Sequence, residues 1–210
     1  MAILKFPPVT NADESGLLAL GGDLDVSSLV LAYSQGIFPW PSSDYEMIPW
    51  YSPDPRGILE FKNLHISHSL KKLLRQKKFE VRFNEQFEKV ILNCAHTHHK
   101  KGQTWITPKM MEAYINLHYA GYAYSAETYQ EGKLVGGVYG VRIKNYICGE
   151  SMFHHTSNAS KVALVTLIQQ LHTEGVTWMD TQMVTPVVES LGGELISRNL
   201  FLELLQKTNS

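Results

Sequence analysis

The spacing of apolar residues divides the chain in two. Up to about residue 60 they come in short runs between turn signals. First is "FPPVTNADESGLLALGGDL", then "VSSLVLAYSQGIF", whose Leu29, Val30, Ala32 and Tyr33 fit one face of a short helix. Next is "GIFPWPSSDYEMIPWYSPDPRGIL", where five prolines leave no room for a regular helix or strand. Beyond it the elements lengthen. "ISHSLKKLLRQKK" reads as a helix carrying Lys71, Lys72, Arg75, Lys77 and Lys78, and "FEVRFN" as a strand in which Phe79, Val81 and Phe83 alternate. A helix "EQFEKVILNCAH", a histidine-rich loop and the helix "TPKMMEAYINLHYAG" follow. Thr107 is the expected cap of that last helix, Pro108 its first turn and Gly121 its stop.

The second half alternates more regularly. "AYSAETYQEGKLVGGVYGVRIKNYICGESMF" predicts three strands turning at Glu131-Gly132 and Lys144-Asn145. "SNASKVALVTLIQQLHTEG" predicts a helix capped by Ser157 or Asn158, with Leu164, Leu167, Ile168 and Leu171 on one face. The strand "VTWMDTQ" and a short helical tail through "LFLELLQK" close the chain. Strands followed by a strand-helix-strand unit predict an α+β fold with a mixed sheet.

Composition narrows the function. At 210 residues and 44% hydrophobic content the chain can bury a real core, and a net charge of -1 confines any contact with an acidic partner to a local patch. Two well-separated cysteines, no apolar run long enough for a membrane span and a first segment "MAILKFPPVT" unlike a signal peptide predict a reduced, cytoplasmic protein without a membrane partner. Glu150 falls where a strand gives out at "CGESMF". Asp180 and Gln182, two apart on a strand, should share one face.

The motifs "GLLALGGDL", "GIFPW", "WYSPDPR" (Trp50 to Arg56), "LHIS", "TWIT", "LVGGVYGV", "CGESMF", "NASK" and "DTQ" follow one another as in the bacterial leucyl/phenylalanyl-tRNA–protein transferase family, which the chain resembles from about Phe6 to Leu205. The resemblance implies an aminoacyltransferase that moves Leu or Phe from aminoacyl-tRNA to proteins beginning with Arg or Lys, creating an N-degron. It implies a small N-terminal domain, about residues 1–62, packed on a catalytic domain, 63–210, that resembles GCN5-related acetyltransferases. The glycine-rich loop with which those enzymes hold coenzyme A is replaced by "HHTSNASKVAL", so coenzyme A is not expected.

Carried over residue by residue, the resemblance makes Trp40 and Trp105 the walls of an adenosine site, with Tyr114 at its rim. Glu150 becomes a positioning carboxylate, and Asp180 with Gln182 the pair that activates or orients the attacking amine. Val138, Ile147, Leu167 and Met179 become the pocket for the aminoacyl side chain, and the basic helix a contact for the acceptor stem. Trp50 and Tyr51 are expected to join the small domain to the large one. Thr185 and Val187 stand where the family commonly has Asn and His.

Aminolysis of an ester needs only orientation and a proton acceptor, because an α-amine of pKa roughly 8 is already partly neutral. No metal, cofactor or covalent nucleophile is therefore expected. Cys94 and Cys148 have no evident base beside them, and His96, His98 and His99 read as a solvated turn rather than a zinc site.

Overall fold

A computed structural model describes residues 2–43, 47–99 and 105–209. Two sheets organise the chain. The smaller pairs β1 (Leu17–Leu20), β3 (Pro49–Tyr51) and β2 (Phe38–Pro39), in that order. The larger has seven strands: β10 (Glu194–Ile196), β4 (Arg56–Glu60), β9 (Trp178–Gln182), β8 (Tyr146–His154), β7 (Lys133–Ile143), β6 (Ala123–Gln130) and β5 (Glu80–Phe83), again in spatial order. Every neighbouring pair is antiparallel except β8 and β9, which run parallel and meet at one pair, Cys148 opposite Asp180. The α+β expectation is met.

Helices cover both faces of the larger sheet. One core joins α1 (Val26–Ser34), α3 (Phe87–His99), α4 (Pro108–Tyr119) and α7 (Arg198–Asn209) to Tyr139, Tyr146, Cys148 and Trp178. The other joins α2 (His68–Arg75) and α5 (Ala159–Thr173) to Val138, Ile147 and Met179. The strand period of two does this sorting: Tyr146 and Cys148 face one core while Ile147 between them faces the other.

Turn and cap chemistry fixes the ends. Glu131 (φ 51°) and Gly132 (φ 74°) turn β6 into β7, left-handed at both central positions as a tight hairpin requires. Thr107 accepts the Met110 N–H at 3.3 Å and caps α4.

Several expectations change. The proline-rich segment contains β2 and β3, because single turns of extended backbone accommodate proline where a long strand would not. Arg56–Glu60, expected in the small unit, lies between β9 and β10 in the larger sheet. The basic helix stops at Arg75, and Lys77 (φ 49°) and Lys78 lie in the turn towards β5. α3 continues to His99, so His96 is on a helix and not in a loop; the side chains of His98 and His99 lie outside the described residues. Asn158 occupies the cap position of α5 without a side-chain cap bond. β1, β10 and the short α6 (Pro186–Ser190) have no counterpart in the sequence pattern. Among the described residues no helix is long and apolar enough to cross a membrane.

Candidate active site

Beyond the single pairing of Cys148 with Asp180, the next residues on the same face are Glu150 on β8 and Gln182 on β9. Their side chains meet directly: Gln182 Nε2 donates to Glu150 Oε1 at 3.0 Å. Two tyrosines converge from the helices above. Tyr33 of α1 donates to Glu150 Oε1 at 2.7 Å, while the Tyr114 hydroxyl of α4 bonds that of Tyr33 and lies 3.4 Å from Glu150 Oε2. Asp180 and Gln182 are fully enclosed, whereas Glu150 is only half-buried. Of the three, Glu150 is the residue that keeps some exposed surface.

Asp180 is fully occupied. Its Oδ1 accepts from Arg56 Nε at 2.9 Å and from the Gln182 backbone N–H at 2.8 Å. Its Oδ2 accepts from Arg56 Nη2 at 2.7 Å and from the Tyr146 hydroxyl. The guanidinium also donates to the Gly36 carbonyl at 3.1 Å and lies 4.8 Å and 4.5 Å from the ring centres of Phe38 and Phe201. Such a planar, forked and stacked pair suits arginine and would not suit lysine. Burial works against the Arg56 charge, but Asp180 more than offsets it and holds the guanidinium pKa above its ordinary value. Asp180 is enclosed and its lone pairs are taken, so what it can contribute is its contact with Gln182.

Glu150 has the opposite environment. No basic side chain pairs with it among the described residues; burial raises its pKa to about 7, the charge of Asp180 adding and the bonds from Tyr33, Cys148 and Gln182 opposing. Half-ionised near neutrality, it can both take and return a proton. The cysteine expectation is corrected too. Cys148 Sγ lies 3.3 Å from Glu150 Oε1 and 3.6 Å from Asp180 Oδ2, but burial and these acids push its thiol well up, and burial alone pushes Cys94 to about 12. Neither is a thiolate nucleophile at neutral pH.

Trp40 and Trp105 stack on each other, ring centres 5.1 Å apart, and Trp105 meets Tyr114 edge-on at 6.5 Å. The aromatic pair thus adjoins the Glu150 cluster, with Trp105 buried and Trp40 half-exposed. Trp50 is buried, donating to the Gly21 carbonyl at 2.8 Å and packing on Phe6, while Tyr51 stacks on Phe38. Both belong to the packing of the small sheet.

Val138, Ile147, Leu167 and Met179 come together, but in the core on the opposite face of the sheet. They are at most 5% exposed. Gly149 lies between the two groups, and a Cβ there would sit 3.2 Å from Met179 Sδ. Lys71, Lys72, Arg75, Lys77 and Lys78 are all exposed and do not join the Glu150 cluster. Thr185 caps α6 by accepting the Val188 N–H, and Val187 packs on the second core.

Sequence reasoning did not single out Arg56, Tyr33 and Tyr146. Arg56 ends the "WYSPDPR" motif, and a hydroxyl at Tyr33 among the apolar residues of α1 signals a required buried partner.

Comparison with known proteins bears on the chain as a whole. The profile described as leucyl/phenylalanyl-tRNA protein transferase matches residues 58–206, and the profile of that protein's N-terminal domain matches 22–54. A leucyl/phenylalanyl-tRNA–protein transferase of Christiangramia forsetii is 48% identical over 205 residues, 96% of either chain. One from Pseudomonas paraeruginosa is 48% identical over 96% of this chain and 90% of its own. Among solved structures, a GCN5-related N-acetyltransferase-like protein from Streptococcus suis aligns over 79% of this chain and 61% of its own, at 14% identity and a TM-score of 0.43. With two profiles covering nearly all of the chain and relatives at almost half identity, this transferase belongs to the leucyl/phenylalanyl-tRNA protein transferase family.

Proposed function

We propose that the chain transfers Leu, Phe or Met from aminoacyl-tRNA to the N-terminal Arg or Lys of acceptor proteins, marking them for degradation in the cytoplasm. The family name carries the coarse reading, an aminoacyl group passing from tRNA to protein. The observation that carries the finer one is Glu150: a carboxyl of pKa about 7 on a half-buried residue, held by Tyr33, Tyr114 and Gln182 beside an aromatic pair.

The terminal adenosine stacks on the exposed side of Trp40, a contact worth about 1 to 3 kcal/mol, with Trp105 backing it. The aminoacyl side chain enters where β8 and β9 part at Gly149, among Val138, Ile147, Leu167 and Met179. That core is closed in this structure, so entry requires its side chains to shift. The acceptor's α-amine attacks the ester carbonyl, the C–N bond forms and the bond to the ribose oxygen breaks. Glu150 takes the proton from the amine and returns it to the leaving ribose oxygen. Gln182, its amide nitrogen committed to Glu150, presents its carbonyl to the amine. Arg56 and Asp180 are positioning residues that fix the backbone of Gln182. Lys71, Lys72, Arg75, Lys77 and Lys78 meet the phosphates of the acceptor stem.

The test is transfer of radiolabelled Leu from charged tRNA to a protein beginning with Arg, measured between about pH 5 and about pH 8. Wild-type kcat/KM should rise through about pH 7, and Glu150→Gln should lower kcat by about 10² to 10⁴. Unchanged transfer in that variant would remove Glu150 from the chemistry.

A further inference from the structure

Cys148 faces Asp180 where β8 and β9 run side by side. Just beyond it the pairing of β8 with β7 slips: Gly149 stands opposite Gly140 and Ser151 opposite Tyr139, which leaves Glu150 as the extra residue of a bulge. Bulges re-aim side chains beside functional sites. Here the Glu150 carboxyl comes within 3.3 Å of the Cys148 sulfur.

The thiol closes a triangle. Gln182 Nε2 donates to Cys148 Sγ at 3.3 Å and to Glu150 Oε1 at 3.0 Å, and Sγ lies 3.3 Å from that same oxygen. A thiol has one hydrogen to give. Its other acceptor, Asp180 Oδ2 at 3.6 Å, is farther away and already takes bonds from Arg56 and Tyr146. The hydrogen therefore goes to Glu150. Cys94, equally buried, has the Ser151 hydroxyl as the polar neighbour that acts on it and meets neither acid nor amide.

We infer that Cys148 is a positioning residue: its thiol donates to the Glu150 carboxylate and accepts from the Gln182 amide, turning the amide nitrogen inward and the Gln182 carbonyl towards the acceptor amine. This rests on the reading of Glu150 as the proton carrier and gives a buried thiol a task that packing alone does not. Two effects separate. A donor to a carboxylate favours its ionised form, so losing the thiol raises the pH at which Glu150 becomes a base. Losing the acceptor frees the Gln182 amide to turn, which lowers kcat.

The other ionisable groups around Glu150 do not blur the first effect. Asp180 of β9 is paired with Arg56 of β4. Tyr33 of α1, Tyr114 of α4, Tyr124 of β6 and Tyr139 of β7 are all pushed well above the ordinary tyrosine range, chiefly by burial, and stay neutral wherever Glu150 titrates.

The test measures Leu transfer from charged tRNA to a protein beginning with Arg, from about pH 5 to about pH 9, in the wild type, Cys148→Ala and Cys148→Ser. In Cys148→Ala the inflection of kcat/KM should move up by about 0.5 to 1 in pH, the size of one hydrogen bond. Its kcat should fall by about threefold to tenfold with the KM for aminoacyl-tRNA within about twofold of wild type. Serine keeps a donor and an acceptor at this position, so Cys148→Ser should return kcat to within about threefold, its inflection at or below that of the wild type. Thermal melting checks that both variants fold.

An unmoved inflection in Cys148→Ala overturns the inference, and so does a loss confined to the melting temperature, which would make the thiol a packing group. If Cys148→Ala does not fold, Cys148→Ser decides alone, since an inflection above that of the wild type overturns the inference. A wild-type profile with no inflection near about pH 7 overturns the reading of Glu150 itself, and this inference with it.

Discussion

Replacing Glu150 with Gln keeps shape and hydrogen bonds but removes the ionisable group, which turns the raised pKa into a stability measurement. In the fold the carboxyl keeps its proton to about 7, against 4.5 for the free side chain. The folded state therefore binds more protons between these values, and wild-type stability falls as pH rises through that window. A gap of about 2.5 is worth up to about 3 kcal/mol at 1.36 kcal/mol per pKa unit, partial exposure of Glu150 making this the ceiling. Other titrating groups cancel in the difference between variant and wild type. Urea unfolding at steps from about pH 5 to about pH 8 should give a Glu150→Gln advantage that grows by about 2 kcal/mol across the range, with an unchanged urea m-value. A difference that stays flat with pH, or moves the other way, would refute the account of Glu150 as a carboxyl that burial keeps protonated.

Arg56→Met leaves the Asp180 charge buried without its partner and should cost about 3 to 5 kcal/mol in chemical denaturation; Arg56→Met with Asp180→Asn should recover at least half of it. Asp180→Asn alone should lower kcat at saturating acceptor while leaving aminoacyl-tRNA affinity nearly intact, and a rise confined to the acceptor KM would argue instead for a binding role. Neutralising Lys72 and Arg75 together should weaken tRNA binding for all sequences and flatten the log-log salt slope by roughly two, one per lost phosphate contact. Leu transfer should exceed Ile transfer, since a shaped apolar pocket rejects β-branching; equal rates would remove Val138, Ile147, Leu167 and Met179 from selectivity.

The long elements were legible because their signals are local. The strands at 123–130, 133–143 and 146–154 announce themselves by tight turns, and α4 by Thr107 and Pro108. The short strands at 38–39, 49–51 and 194–196 were not, since two or three residues carry no period and exist only through their partners. Glu150, Asp180 and Gln182 were found through motif resemblance, and the structure joins them by hydrogen bonds. What the sequence could not reveal was the division between them. Only the long-range approach of Arg56, 124 positions away, engages Asp180 and leaves Glu150 as the acid with no cation paired to it among the described residues.

The stacking of Trp40 on Trp105 gives the protein a built-in optical gauge. Two indoles with centres 5.1 Å apart couple their transitions and add a paired band to the far-ultraviolet circular dichroism beyond what helices and strands contribute. Trp50, hydrogen-bonded to Gly21 and packed on Phe6, and Trp178, hydrogen-bonded to Thr208 and packed on Tyr146 and Phe201, have other ring partners and supply a steady background. A base that covers or parts the pair alters that band while leaving the backbone signal in place, so occupancy becomes visible without a label, and distinct from unfolding, which erases both signals together.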